Sequence, residues 1–357
     1  MAKDNRLKVT GKIFYINNVK KFDLFLSAVG SVNLFLLRCL DGMKLVKNWL
    51  AVSLFIAGFK KNVLMKFRDG FEIKLNNNRD FYSFWKTKEG IKQRLSLCSF
   101  QKIKLDENSQ IITIDATGIT SPRFHYAETK DIFDIIRSIN SFFEKGKYCG
   151  IYVKDRVVID IGAYIGDTQI YFACNGARHI YAFEPFPHSF EIAKINIKLN
   201  NKISDKITLL NAGVGKESKI LEINSEYVSD VDSSINSSIN LLSSSNNNTN
   251  KINIITLEEI INRYNLDNQP CILKMNCEGC EYEIILNTPD YILKVFEQII
   301  IGYHYGYINI KNKLQSIGFK VKILPNHLDI RRGMIRGLLV AQKQIINSIR
   351  CLKPKVI

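Results

Sequence analysis

From residue 157 onward the sequence alternates between short apolar runs and amphipathic stretches, and this alternation limits the folds open to the chain. The run Val157–Ile161 is apolar except for Asp160, and a second run, His179–Phe183, follows the stretch Thr168–Cys174. Apolar runs of this length are typical of parallel strands buried on both faces. Repeated β-α-β units of this kind predict an open, doubly wound sheet with helices on both sides.

Later segments continue the same alternation. The stretches Ser189–Leu199 and Asn309–Ile317 have the apolar spacing of helices. The remaining predicted strands of the sheet are Lys206–Leu210, Cys271–Met275, Gln298–Ile301, Lys320–Leu324 and Gly337–Ala341. Residues 224–251 interrupt the pattern with serines, asparagines and acids, which indicates a mobile loop, either a substrate lid or a surface insertion without function.

Residues 1–145 are interpreted as a separate, smaller α+β segment. Apolar residues within 17–60 recur at helical spacing, with a second helix expected over residues 43–59. Asp69-Gly70 lies between two alternating stretches and predicts a β-hairpin, followed by a loop at Asn76–Asn78. Short strands are expected within 99–115 and a helix within 128–144. The segment carries no chemical signature; a second domain spans 146–345, and a basic tail spans 346–357.

Composition and charge narrow the class of protein and its partners. The chain is 46% hydrophobic, which excludes a disordered protein. Its formal net charge of +16 indicates either anionic partners or a genome whose composition favours Lys, Ile and Asn. Uncharged runs at 24–37 and 48–59 are shorter than the roughly 18–20 residues that span a bilayer. They are either buried helices or, because lysines flank both, interfacial helices. The N-terminus lacks a signal-peptide pattern, so we expect a cytoplasmic protein, with peripheral contact at the inner membrane face as the alternative.

The eight cysteines are scattered and form no dense disulfide framework. We therefore expect free thiols in a reducing compartment. Cys277 and Cys280 form a lone C-x-x-C pair, which by itself is not a zinc site.

Polar residues and glycines follow the first predicted strand of the sheet. Gly162 would let the backbone approach a ligand closely, and Gly166 would permit a tight entry into the next helix. Asp160 would repel a pyrophosphate, but it suits a cofactor that carries positive charge, such as S-adenosylmethionine with its ammonium and sulfonium groups. Tyr164 and Asp167 lie in the same loop and are further candidate cofactor-binding residues.

The next two strands also end in candidate ligand-binding residues. Glu184 follows the second strand, where an acid can accept hydrogen bonds from both hydroxyls of a ribose. Asn211-Ala212 follows the third strand, and the Asn211 amide could read the edge of an adenine. Open α/β sheets bind ligands at the carboxyl ends of their strands, so these residues are expected at one site.

Candidate catalytic residues follow two later strands. Lys274 and Glu278 bracket the point where a transferred methyl group would meet its acceptor. Glu278 could accept a hydroxyl proton or bind a divalent metal, although no metal site is assigned. Glu281 would lie in the first turn of a helix, where the helix dipole favours an acid. His304 could act as a general base near neutral pH.

Taken together, residues 148–343 resemble the FkbM-type methyltransferase domain. The segments that carry the resemblance are Val157–Ala163, Glu184–Pro187, Asn196–Asn200 and Leu273–Glu281. The resemblance implies a Rossmann-like class I fold, a mostly parallel seven-stranded sheet with a reversed last strand. It also implies S-adenosylmethionine as donor and usually O-methylation of sugars or natural products. The family pattern generally has Asn where Tyr164 stands and Asp where Asn276 stands.

The favoured interpretation is an O-methyltransferase whose acceptor is a small molecule, a glycan or a lipid-linked sugar. An RNA methyltransferase is the second interpretation; the charge supports it, but no motif of the RNA-binding modules is found. A third is a cofactor-binding protein without catalysis that contacts membranes through its basic N-terminal helices. An NAD oxidoreductase fits Asp160 poorly.

Overall fold

A computed structural model gives the fold. It describes residues 6–9, 12–15, 45–56, 58–84, 87, 89–90, 93, 103–106, 108–114, 121–126, 135, 148, 150–224, 249–324, 327–329 and 334–343. These residues belong to two units, one within 31–148 and the other made of 149–357 with the hairpin β1 (Arg6–Val9) and β2 (Lys12–Tyr15). The sequence prediction placed the boundary at 145/146 and assigned residues 1–145, which include β1 and β2, to the first segment.

The larger unit is built on one mixed sheet. Its strands are β8 (Val157–Ile161), β9 (His179–Phe183), β10 (Ile207–Leu210), β14 (Cys271–Met275), β15 (Phe296–Tyr303), β16 (Phe319–Ile323) and β18 (Met334–Lys343), with β17 (His327–Asp329) paired to β18. The helices of this unit are α3 (Asp167–Cys174), α4 (Pro187–Leu199), α5 (Leu257–Arg263), α6 (Cys280–Asn287), α7 (Asp290–Leu293) and α8 (Ile308–Ser316).

The strand order defines the fold class. The order across the sheet is β10-β9-β8-β14-β15-β18-β16. All neighbours from β10 to β15 are parallel, whereas β18 is antiparallel to both β15 and β16. Numbered in chain order within this sheet, the strands run 3-2-1-4-5-7-6 with the last strand reversed. The predicted Rossmann-like class I methyltransferase fold is therefore confirmed.

The core lies along the two central strands. Every residue of β8 and β14 is buried, as expected for parallel strands covered on both faces. Their apolar side chains pack with buried residues of α5, α6, α7 and α8 into one large cluster. Burial of this core fixes the register of β8 against β14, and with it the positions of the loops that follow them.

A second, smaller sheet was not predicted. It is formed by β11 (Gly213–Gly215), β12 (Lys219–Asn224) and β13 (Thr249–Thr256) in the order β11-β13-β12. The sequence interpretation extended the loop to 224–251, but Asn224 pairs with Thr249 and Glu222 with Lys251. Residues 225–248, including the low-complexity stretch, lie outside the described residues.

The unit within 31–148 contains the predicted hairpin. Strands β3 (Val63–Lys66) and β4 (Glu72–Leu75) are antiparallel, and Gly70 in the turn has φ 100°. Helix α1 (Trp49–Ile56) packs Val52 and Phe55 into a cluster with the inner face of this hairpin. The further elements are α2 (Asn78–Phe84), β5 (Ile103–Asp106), β6 (Ile111–Ile114) and β7 (Arg123–His125). Asn78, expected in a loop, begins α2; the helices expected over 22–37 and 128–144 lie largely outside the described residues.

Candidate functional site

The candidate site lies along the edge where the parallel strands end. Asp160 is the fourth residue of β8, Glu184 follows β9, Asn211 follows β10, Asn276 follows β14 and His304 follows β15. Because these strands are parallel neighbours, their carboxyl ends meet at one edge, where open α/β sheets bind ligands.

Asp160 and Lys274 form a buried ion pair beneath this edge. The Lys274 Nζ lies 2.6 Å from Oδ1 of Asp160, and the two side chains are 2% and 0% exposed. The other oxygen, Oδ2, accepts hydrogen bonds from the Thr168 hydroxyl at 2.6 Å and the Gln169 amide at 2.5 Å. Burial raises the pKa of Asp160, while Lys274 acts in the opposite direction. The ion pair is therefore buried, and Thr168 and Gln169 contact the carboxylate oxygen that Lys274 leaves open.

This pair corrects two expectations. Asp160 was expected to attract a positively charged cofactor, but its charge is already compensated by Lys274. Lys274 was expected to face the acceptor, but its ammonium also donates to the Gly162 carbonyl at 3.0 Å and does not reach the strand-end surface. The reason is the register of the sheet, which places Lys274 beside Asp160 on the neighbouring strand.

The loop between β8 and α3 is tightly constrained by protein contacts. Gly162 has φ 83°, and a Cβ there would overlap the carbonyl group of Asn276. Gly166 has φ 86°, begins α3 as predicted, and lies against the backbone of Ala193 in α4. Gly162 was expected to let the backbone approach a ligand closely. In the structure, it lets the backbone approach the β14–α6 loop instead. Asp167 is buried in the first turn of α3, where its carboxylate accepts from the Thr168 N–H at 2.8 Å.

Glu184 is a buried carboxylate that contacts this loop. Its Oε2 accepts a hydrogen bond from the Tyr164 N–H at 2.7 Å, and its Oε1 accepts one from the Phe186 N–H at 3.1 Å. The side chain has no ion pair among the described residues. Burial raises the pKa of Glu184 to about 7, although the two backbone hydrogen bonds act in the opposite direction. Each oxygen retains a lone pair, so the carboxylate can still accept two hydroxyl groups.

Asn211 and Ala212 lie beside Glu184. The Asn211 amide donates to the backbone carbonyls of Glu184 at 2.9 Å and Pro185 at 3.2 Å. Both Asn211 and Ala212 line a cavity of about 580 Å³, together with residues of β10, β12, β13 and α5. This volume is within the range of small-molecule sites. Asn211 therefore fixes the turn after β9 and contributes to the wall of this cavity.

A second group of charges surrounds Glu278. Its Oε1 and Oε2 accept hydrogen bonds from Nη2 of Arg336 at 2.9 and 3.0 Å. The Oε1 atom also lies 3.2 Å from Nε2 of His304. The other ring nitrogen of His304, Nδ1, lies 2.6 Å from Oε1 of the fully buried Glu281. Among the residues that the structure describes, Glu278 and His304 are thus brought together as predicted, and Glu281 and Arg336 complete the group.

The two carboxylates determine the protonation of His304. Burial lowers the pKa of the ring, but Glu281 and Glu278 outweigh it and raise the pKa to about 9. His304 is therefore an imidazolium at neutral pH in this arrangement. Held between two carboxylates, the ring is suited to positioning them, and its expected role as a general base stays a prediction.

Arg336 was missed as a site residue and was counted only among the basic residues near the C-terminus. It lies near the start of β18, which is antiparallel to β15. An antiparallel strand begins at the edge where its parallel neighbours end, so a cation early in the reversed last strand was the available signal. Its guanidinium also occupies the Glu278 oxygens that had been considered for a divalent metal.

Cys277 and Cys280 form a disulfide that spans Glu278 and Gly279. This corrects the expectation of free thiols for this pair, whereas Cys174 and Cys271 are not disulfide-bonded. With Glu281, the two sulfurs form the one set of three potential metal ligands whose atoms all lie within 4.8 Å of one another in the described part of the chain. Both sulfurs are bonded to each other, so no metal site is assigned.

Comparison with known proteins gives loose structural matches. No curated protein matches the chain. Methyltransferase FkbM from Methylobacillus flagellatus KT is 12% identical, with 60% of this chain and 54% of its own covered and a TM-score of 0.40. M. capricolum TrmK in complex with S-adenosyl-homocysteine is 14% identical, with 57% and 68% covered and a TM-score of 0.34. P. horikoshii TYW2 in complex with MeSAdo is 16% identical, with 66% and 71% covered and a TM-score of 0.34. The chain spans about half the length of the M. flagellatus protein, and likeness at this level supports no inference about activity.

The match to a protein family is more specific. Residues 160–332 match the methyltransferase FkbM domain. The matched range begins at Asp160 and contains Glu184, Glu278 and His304. It covers the sheet from the end of β8 to β16 and ends before β18. Residues 160–332 of this chain are therefore similar to the methyltransferase FkbM domain.

Proposed function

We propose that the protein is an S-adenosylmethionine-dependent methyltransferase that methylates a hydroxyl group on a sugar, a glycolipid or another small metabolite. The observation that carries the proposal is Glu184, a buried carboxylate without a cationic partner among the described residues, at the strand-end edge of an FkbM-type domain. A buried anion without such a partner is costly unless a ligand satisfies it.

The residues at this edge fit the donor. The free lone pairs of the Glu184 carboxylate can accept both hydroxyls of a ribose, and Tyr164 and the loop from Gly162 to Gly166 lie directly beside it. The cavity lined by Asn211 and Ala212 offers space for a base. When bound, the donor supplies an electrophilic methyl group on a sulfonium. Asp160 and Lys274 contribute by fixing the loop, not by contact.

On the acceptor side, Glu278 is the group that can meet a hydroxyl. Its side chain is 29% exposed, whereas those of His304 and Glu281 are 3% and 0% exposed. Arg336 and His304 hold the carboxylate from two directions, which fixes its orientation. We propose that Glu278 accepts the hydrogen bond of the acceptor hydroxyl and receives its proton. His304 is a positioning residue in this proposal.

A peripheral contact with anionic lipid is a second proposal, which concerns the unit within 31–148. Leu50 and Leu54 lie one turn apart on the outer side of α1 and are 58% and 36% exposed, and Phe59 after the helix is 81% exposed. Lys47, Lys60 and Lys61 are exposed around them, and no acid occurs between residues 42 and 68. Exposed apolar groups ringed by lysines suit an anionic membrane surface. In the described part of the chain no helix meets the length and hydropathy needed to cross a bilayer.

The donor site is tested by Glu184→Gln. We expect this change to weaken S-adenosylhomocysteine binding roughly 10- to 100-fold at pH 8, because a hydrogen bond to a charged group contributes about 1.5–3 kcal/mol. Wild-type affinity should rise from pH 6 to pH 8, as the Glu184 carboxyl ionises around its raised pKa of about 7, and the variant should lack this rise. Isothermal titration calorimetry measures both. Glu191→Gln, an exposed change in α4, is the control; equal affinity in both variants contradicts the assignment.

The acceptor site is tested by turnover. Labelled S-adenosylmethionine is incubated with lipid and glycan extracts of cells that express the protein. Glu278→Gln should lower methyl transfer about 100-fold or more, because proton transfer typically contributes 10²–10⁴-fold. Its S-adenosylhomocysteine affinity should stay within about twofold of wild type. Labelling of RNA instead of these extracts, or full turnover by the variant, would overturn the acceptor proposal.

The charge on His304 predicts how stability depends on pH. Below about pH 6.5 both folded and unfolded chains carry the proton, and the pairing with Glu278 and Glu281 contributes in full. As the pH rises towards 9, the unfolded chain loses the proton first, so the free energy of unfolding should fall by roughly 2–3 kcal/mol. Urea denaturation at pH 6.5 and pH 9 measures the fall. His304→Gln should show a fall smaller by this amount, and identical pH profiles would exclude the ion pair.

The membrane proposal is tested by vesicle flotation of the full chain. Phe59→Glu should reduce binding to vesicles of phosphatidylglycerol and phosphatidylcholine about tenfold or more, because burial of a Phe side chain contributes about 1.5–3 kcal/mol. Leu286→Glu, an exposed leucine on α6, is the control and should bind as wild type. Binding that is equally strong without phosphatidylglycerol, or insensitive to Phe59→Glu, counts against this surface.

A further inference from the structure

We propose that Cys277 and Cys280 are a reversible dithiol–disulfide pair that controls the position of the Glu278 carboxylate. The inference deepens the proposed function and rests on the role given there to Glu278. Nothing in the match to the family assigns a role to these cysteines.

The disulfide closes the turn that presents Glu278. Glu278 and Gly279 are the two residues between the cysteines, with φ 54° and 123°, and the Cα atoms of the cysteines are 5.6 Å apart. A non-glycine residue at positive φ is unfavourable and persists only where its surroundings hold it. The covalent bond across the turn restricts the chain to such a conformation. Breaking it would release the turn towards more favourable backbone angles.

Cys277 and Cys280 are less buried than Cys271. Cys277 and Cys280 are half-buried, whereas Cys271 is fully buried and burial raises the pKa of its thiol to about 12. Exposed disulfides are the ones that exchange with external thiols. Partial exposure of the cysteines and positive φ angles in the turn thus coincide at the same four residues.

The exchange reaction balances with a low-molecular-weight disulfide as oxidant. Cys280 begins helix α6, whose dipole favours a thiolate, so its sulfur attacks the oxidant and releases one thiol. The sulfur of Cys277 then attacks Cys280 in the mixed disulfide and releases the second thiol. Two electrons and two protons pass from the protein dithiol to the oxidant. Excess external dithiol reverses both steps.

The redox state is coupled to Glu278 through Glu281. The Sγ of Cys277 lies 3.5 Å from Oε2 of Glu281, which accepts from the Gly279 N–H at 2.9 Å. In the dithiol, the Cys277 thiol can donate a hydrogen bond to this carboxylate, and so weaken its hold on His304. Because His304 also contacts Glu278, reduction should loosen both carboxylates from the ring. The oxidised chain is the form in which Arg336 and His304 align Glu278.

The test uses the full chain, oxidised with oxidised glutathione or reduced with dithiothreitol. Alkylation and peptide mass spectrometry should place the disulfide at Cys277 and Cys280 in the oxidised sample and leave both alkylated in the reduced one. Histidine-selective NMR should show the His304 pKa fall by about half a unit or more on reduction. The double variant Cys277→Ser/Cys280→Ser should show the lower value in both samples, and Cys174→Ser should respond as wild type.

Three results would overturn the proposal. In the first, the cysteines remain reduced at a large excess of oxidant. In the second, a tightly bound zinc ion at Cys277 and Cys280 blocks oxidation. In the third, the His304 pKa is the same in the oxidised and reduced samples. S-adenosylhomocysteine affinity is measured on the same samples and tests the donor site alone. A chain that binds no donor yet shows the redox response would refute the proposed function and leave the disulfide exchange standing.

Discussion

The buried ion pair between Asp160 and Lys274 is the contact on which the geometry of the site depends. It joins the two central strands of the sheet, and the Lys274 ammonium also holds the carbonyl of Gly162, the first residue of the loop after β8. Gly162 in turn lies against the backbone of Asn276, which opens the loop that carries Glu278. Removal of one partner from such a pair typically costs about 3–5 kcal/mol. The loop after β8 and the loop that carries Glu278 are thus both connected to this one ion pair.

Charge compensation distinguishes the two ends of the site. Glu184 accepts backbone hydrogen bonds and has no ion pair among the described residues, and its pKa is raised by burial. Glu278 is held by two cations, Arg336 and His304, and the ring is itself held by Glu281. The first carboxylate is suited to receive a neutral diol, whereas the second is fixed in direction before any acceptor arrives. The proposed division into a donor end after β9 and an acceptor end after β14, with β8 between them, is consistent with this contrast.

The sequence predicted the sheet well because its strands are uniformly apolar and its loops contain acids and glycines at fixed positions. The sequence also predicted that Glu184, Glu278 and His304 lie at one edge of the sheet, where the parallel strands end. It could not predict the partner of each charge, because partners depend on register between strands far apart in the chain. Lys274 beside Asp160 and Arg336 beside Glu278 both follow from such register. The small sheet was missed because its strands flank a long polar insertion. The disulfide was missed because two cysteines three residues apart can be free thiols, metal ligands or a disulfide.

A crystal structure of the complex with S-adenosylhomocysteine tests the central claim most directly. We predict that both ribose hydroxyls lie within hydrogen-bond distance of the Glu184 carboxylate, while Lys274 remains on Asp160 and touches no part of the ligand. A ligand amino group seated on Asp160 with Lys274 displaced, or a nucleoside bound away from Glu184, would contradict the account.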